Sequence, residues 1–300
     1  MDIERKNEIL MDIISTDVEN SEEILDAIIE PDDEKCLRIF YRKIIEGSKY
    51  TRGFKTVGDS ILKQLGDKEW TTKVYQMAVS KAESSDDYIE IAHSYVYYLK
   101  DYKTAEELSQ KAAKIAKSTR EYIRVAEFEV NYLSDRSNLT DYYAKAKELI
   151  EDDITDKYEL GISMFTYIKD REEGAELIRE AVENTDIVDL LCDIYATLEV
   201  ANIGKEDSNG IFREDLLCEI EETAFDKASD VEDYLYIAAS INDSAFEDAI
   251  SNACSADDYL LIAEYMEDNG EDPSDILQQA LEKLDTDDSE EIAKIKEAIK

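Results

Sequence analysis

Apolar residues in the middle of the chain fall at helical spacing. Tyr88, Ile91, Ala92, Tyr95 and Leu99 make one stripe, and Ala105, Leu108, Ala112, Ile115 and Ala116 make the next. The break between the two helices is Lys100 and Asp101, a polar step of the length that joins antiparallel helices. The pattern predicts a helical hairpin, and the hairpin recurs. Small residues stand at Gly58, Ala92, Ala126 and Gly161, at spacings of 34, 34 and 35 residues. Nine residues after each is an aspartate (Asp67, Asp101, Asp135, Asp170), and twenty after each an alanine (Ala78, Ala112, Ala146, Ala181). The slot thirteen after holds Thr71, Ala105, Leu139 and Gly174. A fixed period of this length marks stacked units that bury their apolar faces against neighbours.

Helix starts are written as capping patterns, a short polar residue followed three later by an acid: Ser84/Asp87, Ser118/Glu121, Asp230/Asp233 and Ser255/Asp258. In all four the next residue is a tyrosine, Tyr88, Tyr122, Tyr234 or Tyr259, so both halves of the chain use one helix start. After Asn202 the loop-like run Ile203 to Gly210 intervenes and the units shorten; Tyr234/Ala238 and Tyr259/Ala263 repeat at 25 residues. Pro273 then opens a helix striped by Ile276, Ala280 and Leu284, and Ser289 to Lys300 reads as a terminal cap. Residues 1–50, with Pro31 and Asp32 between helices, read as the other cap. The expected fold is all-α: a right-handed α-solenoid of stacked antiparallel helix pairs. Its expected parts are an N-terminal helical cap (1–50), repeats of 34–35 residues (51–204), and shorter acidic repeats with a C-terminal cap (205–300).

With Ala92, Tyr95, Ala105 and Ala112 in these places, the chain resembles the tetratricopeptide (TPR) and Sel1-like repeat families over roughly residues 52 to 204. Those families place a small residue in the first helix, an aromatic three later, and small residues twice in the second helix. Gly161, Gly174 and Ala181 follow suit, with Met164 where the aromatic would be, and the proline that often closes a TPR is missing. The resemblance implies a concave surface drawn from the first helices: Arg52, Lys55 and Lys63, then Ile89, His93, Val96 and Tyr97, then Ile123, Glu127 and Val130, then Tyr158, Ile162 and Phe165. His93, Val96, Tyr97, Val130, Tyr158, Ile162 and Phe165 are the candidate partner-binding residues. Either they line a peptide groove or tight superhelical winding buries them on two sides.

Charge changes the picture. The net charge is −40, distributed as −11 over residues 1–34, +7 over 35–82, −13 over 83–205 and −23 over 206–300. Within the basic segment Lys35, Arg38, Arg42 and Lys49 stand at helical spacings, a candidate positive stripe that reads either as a solvated face or as contact with an anionic partner. That partner could be the acidic part of another copy, in a salt-sensitive head-to-tail self-association. Four dispersed cysteines, Cys36, Cys192, Cys218 and Cys254, suggest neither a zinc site nor a disulfide framework and read as buried free thiols. Met1 to Ile14 lacks the apolar core of a signal peptide, and no stretch approaches the roughly eighteen apolar residues of a membrane span, so a cytoplasmic setting away from membranes is expected.

Motifs for chemistry are missing: no HExxH, GxSxG, phosphate loop or dinucleotide glycine pattern occurs, and His93, the single histidine, reads as a groove or surface residue, not a base. Asp207, Asn209 and Gly210 echo a calcium loop, but its first and twelfth positions would be Lys205 and Leu216; Asp285, Asp287 and Asp288 lack the glycine. No catalytic residue, cofactor or dedicated metal is expected. Two functions fit. One is a non-enzymatic scaffold that binds a protein or peptide of basic character through an acidic, aromatic-containing surface. The other is an acidic nucleic-acid mimic that inhibits a DNA- or RNA-binding defence protein or nuclease. Residues 206–300 would make three helix pairs of about 10 Å each, about one net charge per 1.3 Å against about one per 1.7 Å in duplex DNA. Direct binding to nucleic acid is not expected.

Overall fold

A computed structural model describes residues 34–134, 136–150, 153–168, 171–201, 210–283 and 289–298. Among them the structure is all-helical, with no strand. The expected cap residues 1–33, Asp135, Asp170, the run from Asn202 to Asn209 and the aspartates 285, 287 and 288 lie outside the described residues. The chain divides into two compact units, Met1–Ile150 and Glu151–Lys300.

The first unit contains α1 (Glu34–Gly47), α2 (Thr51–Leu65), α3 (Lys68–Lys81), α4 (Ser85–Ser94), α5 (Tyr102–Ile115), α6 (Thr119–Tyr132) and α7 (Leu139–Leu149). Packing runs in hairpins, α2 on α3, α4 on α5 and α6 on α7, and the first helices also pack in succession, α2 on α4 and α4 on α6. The second unit contains α8 (Ile154–Tyr167), α9 (Glu172–Asn184), α10 (Val188–Val200), α11 (Gly210–Lys227), α12 (Val231–Ser240), α13 (Ala245–Asn252), α14 (Ala256–Asp268), α15 (Ser274–Lys283) and α16 (Ser289–Ala298). Here the hairpins are α8/α9, α10/α11, α12/α13 and α14/α15, with α8, α10, α12 and α14 again in serial contact. The boundary expected near residue 204 separates no cores. Leu191, Ile194 and Leu198 before it share one apolar cluster with Leu216, Ile220, Ile237 and Ala245 after it.

The repeat has a physical basis at each helix crossing. Thr71, thirteen residues after Gly58, sends its hydroxyl to the Gly58 carbonyl, 3.4 Å away. Gly174, thirteen after Gly161, lies so close that a Cβ on Gly161 would sit 2.8 Å from the Gly174 carbonyl oxygen. Ala92 and Ala126 are fully buried at the matching positions, as are Ala78, Ala112, Ala146 and Ala181. The periodic aspartate also has a role that its spacing alone did not reveal. Asp67 caps α3 by accepting from the Trp70 amide at 3.0 Å, and Asp101 caps α5 by accepting from the Thr104 amide at 3.1 Å.

First helices carry the expected capping boxes at Ser84/Asp87, Ser118/Glu121 and Ser255/Asp258, each reciprocal. The fourth site is half of one: Asp230 accepts from the Asp233 amide, while the Asp233 carboxylate turns to the Ser229 amide. Each such cap contributes about 1 kcal/mol.

Candidate interaction surfaces

The candidate lining separates into core and surface. Val96 (4% exposed), Val130 (8%), Ile162 (8%) and Phe165 (0%) are core residues and present no surface to a partner. The cause is serial packing: a first helix meets its hairpin mate and the first helices of the adjoining hairpins, so its buried arc is wider than a two-layer hairpin would need. Ile89 and Ile123 are buried for the same reason, Tyr158 is half-buried, and Arg52 and Lys63 are exposed.

His93, on α4, is half-buried, and Tyr97, on the π-helical turn Tyr95–Leu99 that follows it, is exposed. Their rings stack at 6.1 Å, and Phe128 and Tyr132 of α6 meet the His93 ring edge-on at 4.8 and 4.9 Å. The hydroxyls of Tyr97 and Tyr132 lie 2.6 Å apart. A backbone reversal with Lys100 at φ 56° ends the π turn, 34 residues after Gly66 at φ 65° in the same slot. Around this reversal Tyr97, Tyr98 and Tyr102 are all exposed. Rings that pack directly on one another in this way fill the space between them.

Burial lowers the His93 pKa from its ordinary 6.5, helped by the positive charges of Arg124 and Lys55. The folded protein therefore holds His93 neutral where the unfolded chain begins to bind a proton. Its contribution to stability is present above about pH 6.5 and declines as pH falls through that value toward the folded-state pKa. His93→Gln should remove this part of the acid-side loss, read as the wild-type-minus-variant difference in urea midpoints between about pH 7.5 and 5.5. A difference that stays flat across that window overturns the assignment.

The expected basic stripe is only partly free. Arg38 is engaged, with Nε 2.9 Å from Glu34, a terminal guanidinium nitrogen 2.8 Å from Asp67, and its guanidinium over the Trp70 ring. These carboxylates raise the Arg38 pKa, and the Trp70 amide and Arg38 lower that of Asp67. Arg42 and Lys49 are exposed, Lys43 joins them, and the Lys35 side chain lies outside the described residues. Two apolar side chains stand among these cations, Ile39 at 45% exposure and Tyr50 at 78%.

The second unit carries a surface that its composition alone did not locate. Val188, Val231 and Ala256 each open a first helix and are buried, which puts α10, α12 and α14 in one register. The next position in each is an exposed acid, Asp189, Glu232 and Asp257, and four residues later come Asp193, Tyr236 and Leu261, all exposed. Asp189 from α10 and Glu232 from α12 both raise the Tyr236 pKa by their charge, so carboxylates of two helices converge on one ring. Asp257 also meets Lys294 of α16 at 2.8 Å. The 25-residue echo of Tyr234 in Tyr259 was the available signal for this register, since Tyr236 and Leu261 stand two places on.

The Cys36 side chain lies outside the described residues, and the other three cysteines divide by exposure, against the expectation of buried thiols. Cys192 is buried, with its thiol pushed up to about 12 by burial and by Asp189, Asp193 and Asp233, while Cys218 and Cys254 are exposed. Two buried carboxylates serve structure: Asp59 accepts from the Tyr75 hydroxyl, and Glu129 accepts from Ser109 at 2.9 Å and Tyr142 at 3.1 Å. Among the described residues no three or more His, Cys, Asp or Glu side chains converge as metal ligands would, and no helix is long and apolar enough to cross a membrane. Comparison of the sequence with protein-family models gives no match, and comparison with curated proteins gives none either.

Proposed function

We propose that the chain is a non-enzymatic scaffold, an α-solenoid of TPR-like or Sel1-like helix pairs, that binds a basic protein or peptide segment. The binding surface is the first-helix face of α10, α12 and α14. One observation carries this reading: Tyr236 and Leu261 stand exposed at matched register positions beside the acids Asp189, Glu232 and Asp257. Apolar groups in an acidic field suit a segment that mixes lysine or arginine with apolar residues, with the charges steering the encounter and the apolar contact holding it. A nucleic-acid mimic would have carboxylates where Tyr236 and Leu261 stand, so these two side chains favour the peptide.

The test is a titration of the full chain with fluorescent peptides that alternate arginine and leucine, at about 0.15 M salt. Tyr236→Ala should weaken binding about five- to thirtyfold, the effect of losing a contact worth about 1–2 kcal/mol. Glu232→Lys/Asp257→Lys should weaken it further and slow association. Equal affinity of both variants and the wild type would remove this surface from consideration.

A further inference from the structure

Two mixed surfaces of opposite sign occur in this one chain. The exposed side of α1 and the residues that follow it present Arg42, Lys43 and Lys49, with Glu46 among them, beside Ile39 and Tyr50. The first-helix face of the second unit presents Asp189, Glu232 and Asp257 around Tyr236 and Leu261. Each combines charge with uncovered apolar side chains, and each supplies what the other lacks. Exposed tyrosine and isoleucine among cations are costly to leave in water and become useful when a partner covers them. We infer that the basic surface of one copy docks on the acidic first-helix face of a second copy. This rests on the reading above that the acidic face binds a basic partner, and it names that partner.

The contact would be heterologous, because the two surfaces differ, so a bound pair still offers one free surface of each kind and growth does not stop at two. Its size sets its strength. Two or three helices about 10 Å apart and about 20 Å long give roughly 400–600 Å² per partner, below the roughly 800 Å² of a standard interface. The association is therefore transient and concentration-dependent.

Salt gives it a signature that a purely apolar association does not share. Two bodies of net charge −40 repel each other at long range, and at about 0.01 M salt, where the Debye length is about 30 Å, that repulsion is felt in full. At about 0.1 M the Debye length falls to about 10 Å, and distant charges are screened while contact pairs survive. At about 1 M it is about 3 Å and the contact pairs go too. Association should thus peak at intermediate salt.

Sedimentation of the full chain from about 0.01 to 1 M salt tests this, together with two charge-swapped variants. Arg42→Glu/Lys43→Glu/Lys49→Glu reverses the basic surface, and Asp189→Lys/Glu232→Lys/Asp257→Lys reverses the acidic one. All six side chains are exposed, and of the three acids Asp257 forms an ion pair, with Lys294, so circular dichroism should be unchanged in both variants and melting lowered only slightly by loss of that pair. The expected result is a wild type whose average mass rises with concentration most strongly near 0.1 M salt, two variants that stay monomeric alone, and mass regained when they are mixed. A monomeric wild type at all salts, association that grows monotonically with salt, or a mixture that stays monomeric would each overturn the proposal. The peptide titration is read independently: peptide binding without self-association leaves the scaffold standing and removes the second copy as its partner.

Discussion

Phe165→Ala should lower the stability of the second unit by about 3–5 kcal/mol, the usual cost of emptying an aromatic site in a packed core. Phe165 is 0% exposed and lies in one cluster with Ile178, Val182, Leu191 and Ile194. Arg171 covers its ring at 5.6 Å, so the vacated volume would also strand a guanidinium stacked on it. Rigid helices on several sides leave little room for collapse, which places the cost toward the upper part of the range. Urea unfolding followed by circular dichroism measures it. A groove side chain would behave in the opposite way, with partner affinity lost and stability nearly kept. A change below about 1 kcal/mol would return Phe165 to the surface.

Gly174→Ala should be the next most damaging change, although alanine is the better helix former. A Cβ there would stand 2.7 Å from the Phe165 amide nitrogen and 2.8 Å from the Gly161 carbonyl oxygen. Both are backbone atoms, so no rotamer change relieves the overlap and α8 and α9 must move apart. Overpacking of this kind costs up to about 3 kcal/mol, and the gain in helix propensity returns about 1 kcal/mol, leaving a net loss of about 2 kcal/mol. Thermal melting reads this directly, and Gly270→Ala is a useful contrast because nothing lies within 4 Å of that position. There the backbone conformation, with φ at 76°, is the sole source of strain. An unchanged melting temperature for Gly174→Ala would mean that the α8/α9 crossing is looser than described.

The hairpins were legible in the sequence because they rest on short-range rules. Ser84, Ser118 and Ser255 announce helix starts, Lys100 and Asp101 mark a reversal, and the recurrence of Gly58, Ala92, Ala126 and Gly161 identifies equivalent places. Equivalence does not say how much of each helix is covered. Val96 and Ile162 stand where a two-layer hairpin would expose them, and serial contact of first helices buries them instead. The same limit hid the acidic face. That Tyr234 and Tyr259 match could be seen from their spacing, but that Tyr236 and Leu261 point outward depends on which arc meets the next helix. Composition placed the acids in the last third of the chain and left open which of them share a surface. Asp67 and Asp101 were visible as a period, and only their amide partners turn that period into caps.

Helix packing in both units runs between elements that are close in sequence: a helix, its hairpin mate and the first helix of the next hairpin. Bringing such elements together closes only short loops, so little chain entropy is lost before contacts begin to compensate. Chains with local contacts of this kind fold among the fastest known, in microseconds to milliseconds. Nascent hairpins can therefore condense as they emerge during synthesis, without waiting for remote segments. A chain with so many acids can then hide its apolar stripes early, while mutual repulsion keeps half-made copies from clumping.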